Sequence, residues 1–172
     1  MPEHSQLFMQ TAETDLLGRV GAAASHRGLV LLKTHLEVPV SWDYKGLPIQ
    51  RVRAHPVAGA ALSQLLEYLE GERVQFDVPI DWTDFTEFQR RVLQATREIP
   101  YGETRTYGEI ARSVGSPRAA RAVGQAEKAN PIPVIIPCHR VIGADGAMVG
   151  YGGPAGVDLK ARLLKLEGAL IT

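Results

Sequence analysis

The chain predicts two structural units, a small α+β one followed by a mostly helical one, and two observations carry that prediction. Formal charge is zero in total but divided along the chain: residues 1–85 hold seven Lys+Arg against eleven Asp+Glu, residues 86–140 nine against five, and residues 141–172 three of each. The apolar pattern changes at the same place, near Pro79 to Asp84, from strand-like runs to helical spacing.

Taken in order, Leu16 to Val20 and Gly28 to Glu37 read as strands joined by a turn at Ser25-His26-Arg27-Gly28. A helix follows on Leu62, Leu65, Leu66 and Leu69, and Gly71 stops it. In the second half, Asp84 with Glu87 three residues later reads as a capping box opening a helix whose face is Phe85, Phe88, Val92 and Ile99. Pro100-Tyr101-Gly102 ends it. Thr106 with Glu109 repeats that signal for a short helix, Tyr107 to Ser113. Ser116 then reads as the cap of a third helix, with Pro117 at its first position and an end near Ala129.

At 172 residues, 45% hydrophobic and 22% charged, the composition is that of a globular protein. Apolar stretches such as Gly28 to Leu32 and Val134 to Ile136 are far shorter than a membrane span, and Met1 to Ser5 lack a basic region leading into an apolar one. The protein is therefore read as cytoplasmic, with no membrane partner. One cysteine excludes an intrachain disulfide and any multi-cysteine zinc site, and His4, His26, His35 and His55 are scattered without ligand spacing. No metal and no cofactor is expected.

The last two helices, separated by Val114-Gly115-Ser116, have the outline of a helix-turn-helix. Arg118, Arg121, Gln125 and Lys128 fall on one face of the second, while Ala119, Ala120, Ala122, Gly124 and Ala126 keep it slim enough to enter a DNA groove. A solvated amphipathic helix explains the same stripe. The single thiol lies in Pro137-Cys138-His139-Arg140, after the apolar run Ile132-Pro133-Val134-Ile135-Ile136, read as a short proline-bounded strand. A lone cysteine beside a histidine on a rigid turn suits a nucleophile, and a small buried core residue is the other reading.

Phe88 to Pro100, Gly102-Glu103-Thr104, Thr106 to Ala111, Arg121-Ala122-Val123-Gly124, Asn130-Pro131, Ile135 to Ile142, Gly150 to Gly153 and Leu163 to Gly168 together resemble the O6-alkylguanine-DNA alkyltransferases, the methylated-DNA–protein-cysteine methyltransferases. The resemblance covers about half the chain in order, with the cysteine motif its most specific part. It implies an N-terminal α/β domain over residues 1–82, ribonuclease H-like and built on a small antiparallel sheet. A mostly helical, winged-helix-like domain with the helix-turn-helix follows over residues 83–172. The implied activity is single-turnover, irreversible transfer of an alkyl group from guanine O6 in double-stranded DNA to Cys138, after the base is flipped out of the stack.

By the same resemblance His139 takes the thiol proton through a water, Glu167 orients His139, Tyr107 donates to the leaving base, and Asn130 ties the helix pair to the cysteine segment. Arg121 fills the space left by the base. Ala120, Arg118, Gln125 and Lys128 are expected against DNA, and Tyr151, Gly152, Gly153 and Pro133 around the pocket. The relay is expected to lower the thiol pKa below its ordinary value of about 8.5. Departures from the family pattern are Gly152, Pro154 and Glu127, the last read as a negative charge on the DNA-facing helix. The protein is expected as a monomer, with cooperative binding on DNA left open. Alkyltransferase-like lesion binders are the alternative, but they lack the cysteine; a helix-turn-helix regulator explains neither His139 nor Glu167.

Overall fold

The computed structural model describes residues 6–37, 43–148 and 156–169, and the chain divides into two compact units, Met1–Asp84 and Phe85–Thr172. In the first, β1 (Leu7–Thr14), β2 (Gly18–Ser25), β3 (Gly28–Lys33), β4 (Asp43–Tyr44) and β5 (Leu47–Arg51) form a sheet in the order β3-β2-β1-β5-β4. Strand β2 starts later than the sequence suggests. The Thr14 hydroxyl accepts from Leu17 N at 2.9 Å and donates to Gly18 O at 2.9 Å, which commits Leu16 and Leu17 to a turn.

The sheet is mixed, which corrects the expectation of an antiparallel one. β1 runs antiparallel to β2 but parallel to β5, pairing Leu7 with Ile49 and Met9 with Arg51. Parallel neighbours need a crossover, and β2, β3 and β4 intervene in sequence between β1 and β5. Helix α1 (Pro56–Leu69) lies against β1 and β2, burying Ala58, Ala61, Leu62, Leu65 and Tyr68. Each leucine so buried contributes about 1.5–3 kcal/mol.

The second unit contains α2 (Glu87–Arg97), β6 (Arg105–Thr106), α3 (Tyr107–Ser113), α4 (Ala120–Lys128), a 3₁₀ turn at Cys138–Arg140, β7 (Val141–Ile142) and α5 (Gly156–Leu166). Strands β6 and β7 pair in parallel. Val92, Ile99, Ile110, Ala111, Val114, Val123, Ala126 and Val141 form its core, with Phe88 and Tyr107 packed on it.

Two start signals are corrected. Helix α2 is opened by Thr86 and Gln89, whose side chains and backbone amides bond reciprocally at 3.2 and 3.1 Å, because Asp84 belongs to the first unit and pairs with Lys45 at 3.6 Å. Helix α4 starts at Ala120, not Pro117, because Ser116 closes α3 instead of opening α4. Ser116 N donates to Ala111 O and Gly115 N to Arg112 O, a C-terminal motif that needs the positive φ of +76° at Gly115. A turn closed by Ala119 N on Ser116 O at 2.9 Å follows, so Arg118 lies on that turn and not on α4. The Thr106–Glu109 capping box and the span of α3 are as the sequence predicts.

Candidate active site

The segment ahead of the cysteine is two tight turns, not a strand. Pro131, Pro133 and Pro137 lack the N–H groups a ladder needs, and only an isolated bridge between Pro133 and Ile136 forms. Ile135 N donates to Pro133 O at 2.9 Å across Val134, whose φ of +70° is a costly conformation for a β-branched residue. Cys138 N donates to Ile136 O at 2.8 Å across Pro137, at φ −80° and ψ 62°. Asn130 holds these turns together: its Oδ1 accepts from Ile132 N at 2.9 Å, and its Nδ2 donates to Ile136 O at 3.0 Å and to Cys138 Sγ at 3.2 Å.

Cys138 is 7% exposed, and its thiol is pushed up to about 12 by burial first and by Glu127 second, against the opposing pull of Asn130 and Lys160. The expectation of a lowered pKa is therefore corrected for the resting protein. The thiol stays protonated there, and its proton must leave during the reaction.

Behind it lies a buried charge cluster. His139 Nε2 meets Glu167 Oε1 at 2.8 Å, and Arg140 clamps the same carboxylate through Nη2 at 2.8 Å and Nε at 2.9 Å while Nη1 donates to Ile99 O at 2.7 Å. Gly102 N donates to Glu167 Oε2 at 3.3 Å from a residue with φ +80°, and a Cβ there would come within 3.2 Å of Glu167 O. Burial alone would raise the Glu167 pKa, but the bonds from His139 and Arg140 outweigh it and hold it at about 2. An ionised carboxylate only accepts, so Nε2 carries the proton. Burial also lowers the His139 pKa despite Glu167, so the imidazole is neutral and its buried Nδ1, which has no hydrogen-bond partner among the described residues, is a proton acceptor.

Tyr107 opens α3, and its phenol is pushed up to about 12 by burial, then by Glu127 and Cys138, so it holds a proton to give. Tyr107, Ala120, Arg121, Gln125 and Lys128 line one cleft. Arg118 is exposed on the preceding turn and does not line it. Pro133 is half-buried within the first γ-turn. Tyr151, Gly152, Gly153 and Pro154 lie outside the described residues.

Residues 87–169 match the family model described as 6-O-methylguanine DNA methyltransferase, DNA binding domain. A relative from Methanosarcina acetivorans named methylated-DNA–protein-cysteine methyltransferase is 50% identical over 137 residues, 80% of each chain. A Bacillus subtilis relative, the constitutive protein of that name, is 50% identical over 160 residues, 93% of this chain and 94% of its own. This chain belongs to the methylated-DNA–protein-cysteine methyltransferases. The crystal structure of Mycobacterium tuberculosis OGT in complex with DNA superposes with a TM-score of 0.77 at 40% identity, covering 94% of this chain and 93% of that one.

Within this methyltransferase, sequence reasoning gave no role to Arg140, Lys160 or Thr96, and it misread Glu127. Glu127 does not face outward from α4: it is 4% exposed and its Oε1 is hydrogen-bonded to Thr96 on α2. Lys160 is buried on α5, donates to Val141 O at 2.5 Å and stands 5.8 Å from the Tyr107 ring centre. The signal was present in both helices. Glu127 falls four residues after buried Val123, and Lys160 three and four before buried Leu163 and Leu164, so each is a charged residue on an apolar stripe.

Proposed function

We propose that the protein repairs double-stranded DNA by moving an alkyl group from guanine O6 to Cys138, once per molecule. The 2.8 Å bond between His139 Nε2, in the residue next to the thiol, and the buried Glu167 carboxylate clamped by Arg140 is the observation that carries this reading. A water passes the thiol proton to His139 Nδ1 as sulfur attacks the alkyl carbon in line. The carbon–O6 bond breaks, its electron pair stays on guanine, and Tyr107 gives the base a proton. The product is a thioether, which no described group is placed to cleave, so each molecule acts once.

In this reading α3 and α4 are a helix-turn-helix, with α4 in the minor groove. Arg121 replaces the extruded base, Ala120 allows close approach, and Gln125, Lys128 and Arg118 meet the backbone. Asn130 carries the position of α4 to the cysteine turns, and Pro133 with Tyr151, Gly152 and Gly153 forms the pocket wall. The first unit is ribonuclease H-like, the second winged-helix-like, and the protein is a cytoplasmic monomer. No described helix is long and apolar enough to cross a membrane. Retention of Cys138 weighs against a lesion binder without transfer.

Mixing the protein with duplex DNA containing O6-methylguanine is expected to raise its intact mass by one methylene, and an unchanged mass with bound DNA would establish the binder instead. Arg121→Ala is expected to slow repair in duplex DNA by about thirtyfold, corresponding to ~2 kcal/mol of lost help in extrusion. Transfer from free O6-benzylguanine, which needs no extrusion, is expected to stay within about twofold. Equal slowing on both substrates would assign Arg121 to the pocket or the fold.

A further inference from the structure

Glu127 sits where an ionised carboxylate is poorly accommodated. Its Oε1 bonds Thr96 Oγ1, and Thr96 Oγ1 also lies 2.9 Å from Val92 O, an atom that only accepts. A threonine hydroxyl has one proton. If that proton goes to Val92 O, the carboxyl must donate to Thr96 and must itself be protonated. The other oxygen, Oε2, is buried without a hydrogen-bond partner among the described residues, a costly place for half of a negative charge.

The groups acting across this interior are Thr96 on α2, Tyr107 on α3, Cys138 on the 3₁₀ turn and Lys160 on α5. We propose that Glu127 is a positioning residue for alkyl transfer, held as a neutral carboxylic acid that donates to Thr96 and so ties α4 to α2 without placing a negative charge behind Cys138 and Tyr107.

Burial accounts for the neutral form by pushing the carboxyl up to about 8, against the opposing effect of Lys160 and of a Thr96 hydroxyl turned to donate to the carboxylate. Below that pH the thiol and phenol face an uncharged acid. Above it they face an anion that makes thiolate formation harder and holds the Tyr107 proton more tightly. The proposal rests on Cys138 being the alkyl acceptor.

The test compares wild type with Glu127→Gln, which keeps the shape and a donor toward Thr96 but never ionises. Transfer from O6-benzylguanine, which avoids any pH effect on DNA binding, is followed by intact mass. At about pH 6.5 the two proteins are expected within about twofold of each other, and at about pH 9.5 the variant is expected to be about three- to tenfold faster. In the infrared spectrum at about pH 6.5, wild type is expected to show a protonated-carboxyl C=O band that the variant lacks.

A constant rate ratio across pH, no such band in wild type, or a loss above about tenfold at pH 6.5 in a folded variant would each overturn the proposal. If Glu127→Gln does not fold, the wild-type band alone decides: its presence at low pH and loss on titration through about pH 8 supports the proposal, and its absence overturns it. A wild type that gains no mass overturns the functional reading and this proposal together, whereas a transferring wild type with a flat ratio overturns this proposal alone.

Discussion

Cys138→Ala is expected to abolish alkyl transfer and leave DNA binding within about twofold of wild type. The substitution removes the nucleophile but little of what holds the site. Asn130 still bonds Ile136 O and Ile132 N, the turns across Val134 and Pro137 are backbone bonds, and the cleft residues lie on α3 and α4. Only the Nδ2 to Sγ contact at 3.2 Å is lost. Intact mass after exposure to DNA with O6-methylguanine, beside a binding titration on the same duplex, measures both halves. An alkyl group found on another residue of the variant would remove Cys138 from the reaction. Cys138→Ser is expected to be equally inactive, because a hydroxyl is a far weaker acid than a thiol and the imidazole that must take its proton is the same.

What the sequence revealed and what it hid divide along a physical line. Signals within three or four residues of each other were legible when nothing distant competed for the same groups. Thr106 and Glu109 cap α3 as read, whereas the contact of His139 with Glu167, 28 residues apart, was implied only by the family resemblance. Local signals failed where a neighbouring element claimed the residue first. Asp84 pairs with Lys45, Ser116 finishes the preceding helix, and the three prolines turn an apolar run into γ-turns.

Charged residues on apolar stripes were the remaining blind spot. Lone charges on a helix are usually solvated, and that expectation outweighed the apolar stripes on which Glu127 and Lys160 lie. The mixed sheet was hidden for a related reason. Nothing in Leu47–Arg51 states which neighbour it will pair with or in which direction.

Glu167→Gln is expected to lower both stability and transfer, and the two losses have separable causes. The substitution leaves the Arg140 guanidinium buried without its counter-charge, a situation that typically costs about 3–5 kcal/mol. It also weakens the acceptor that holds His139 as a neutral base, and transfer is expected to fall by at least about tenfold. The acid limb of stability should change as well. Glu167 is held at about 2, below its unfolded value near 4.5, so its contribution is complete above the unfolded value and is lost as pH falls toward 2. Urea unfolding between about pH 6 and pH 2.5 should therefore fall less steeply in the variant than in wild type.

Adding Arg140→Met to Glu167→Gln removes the unpaired charge, while the amide oxygen introduced by the first substitution still accepts from His139. The double variant is expected to regain more than half of the lost stability yet keep the transfer defect. If transfer returned together with stability, Glu167 would serve only to neutralise Arg140, and the proton would have to leave Cys138 without help from the His139–Glu167 pair.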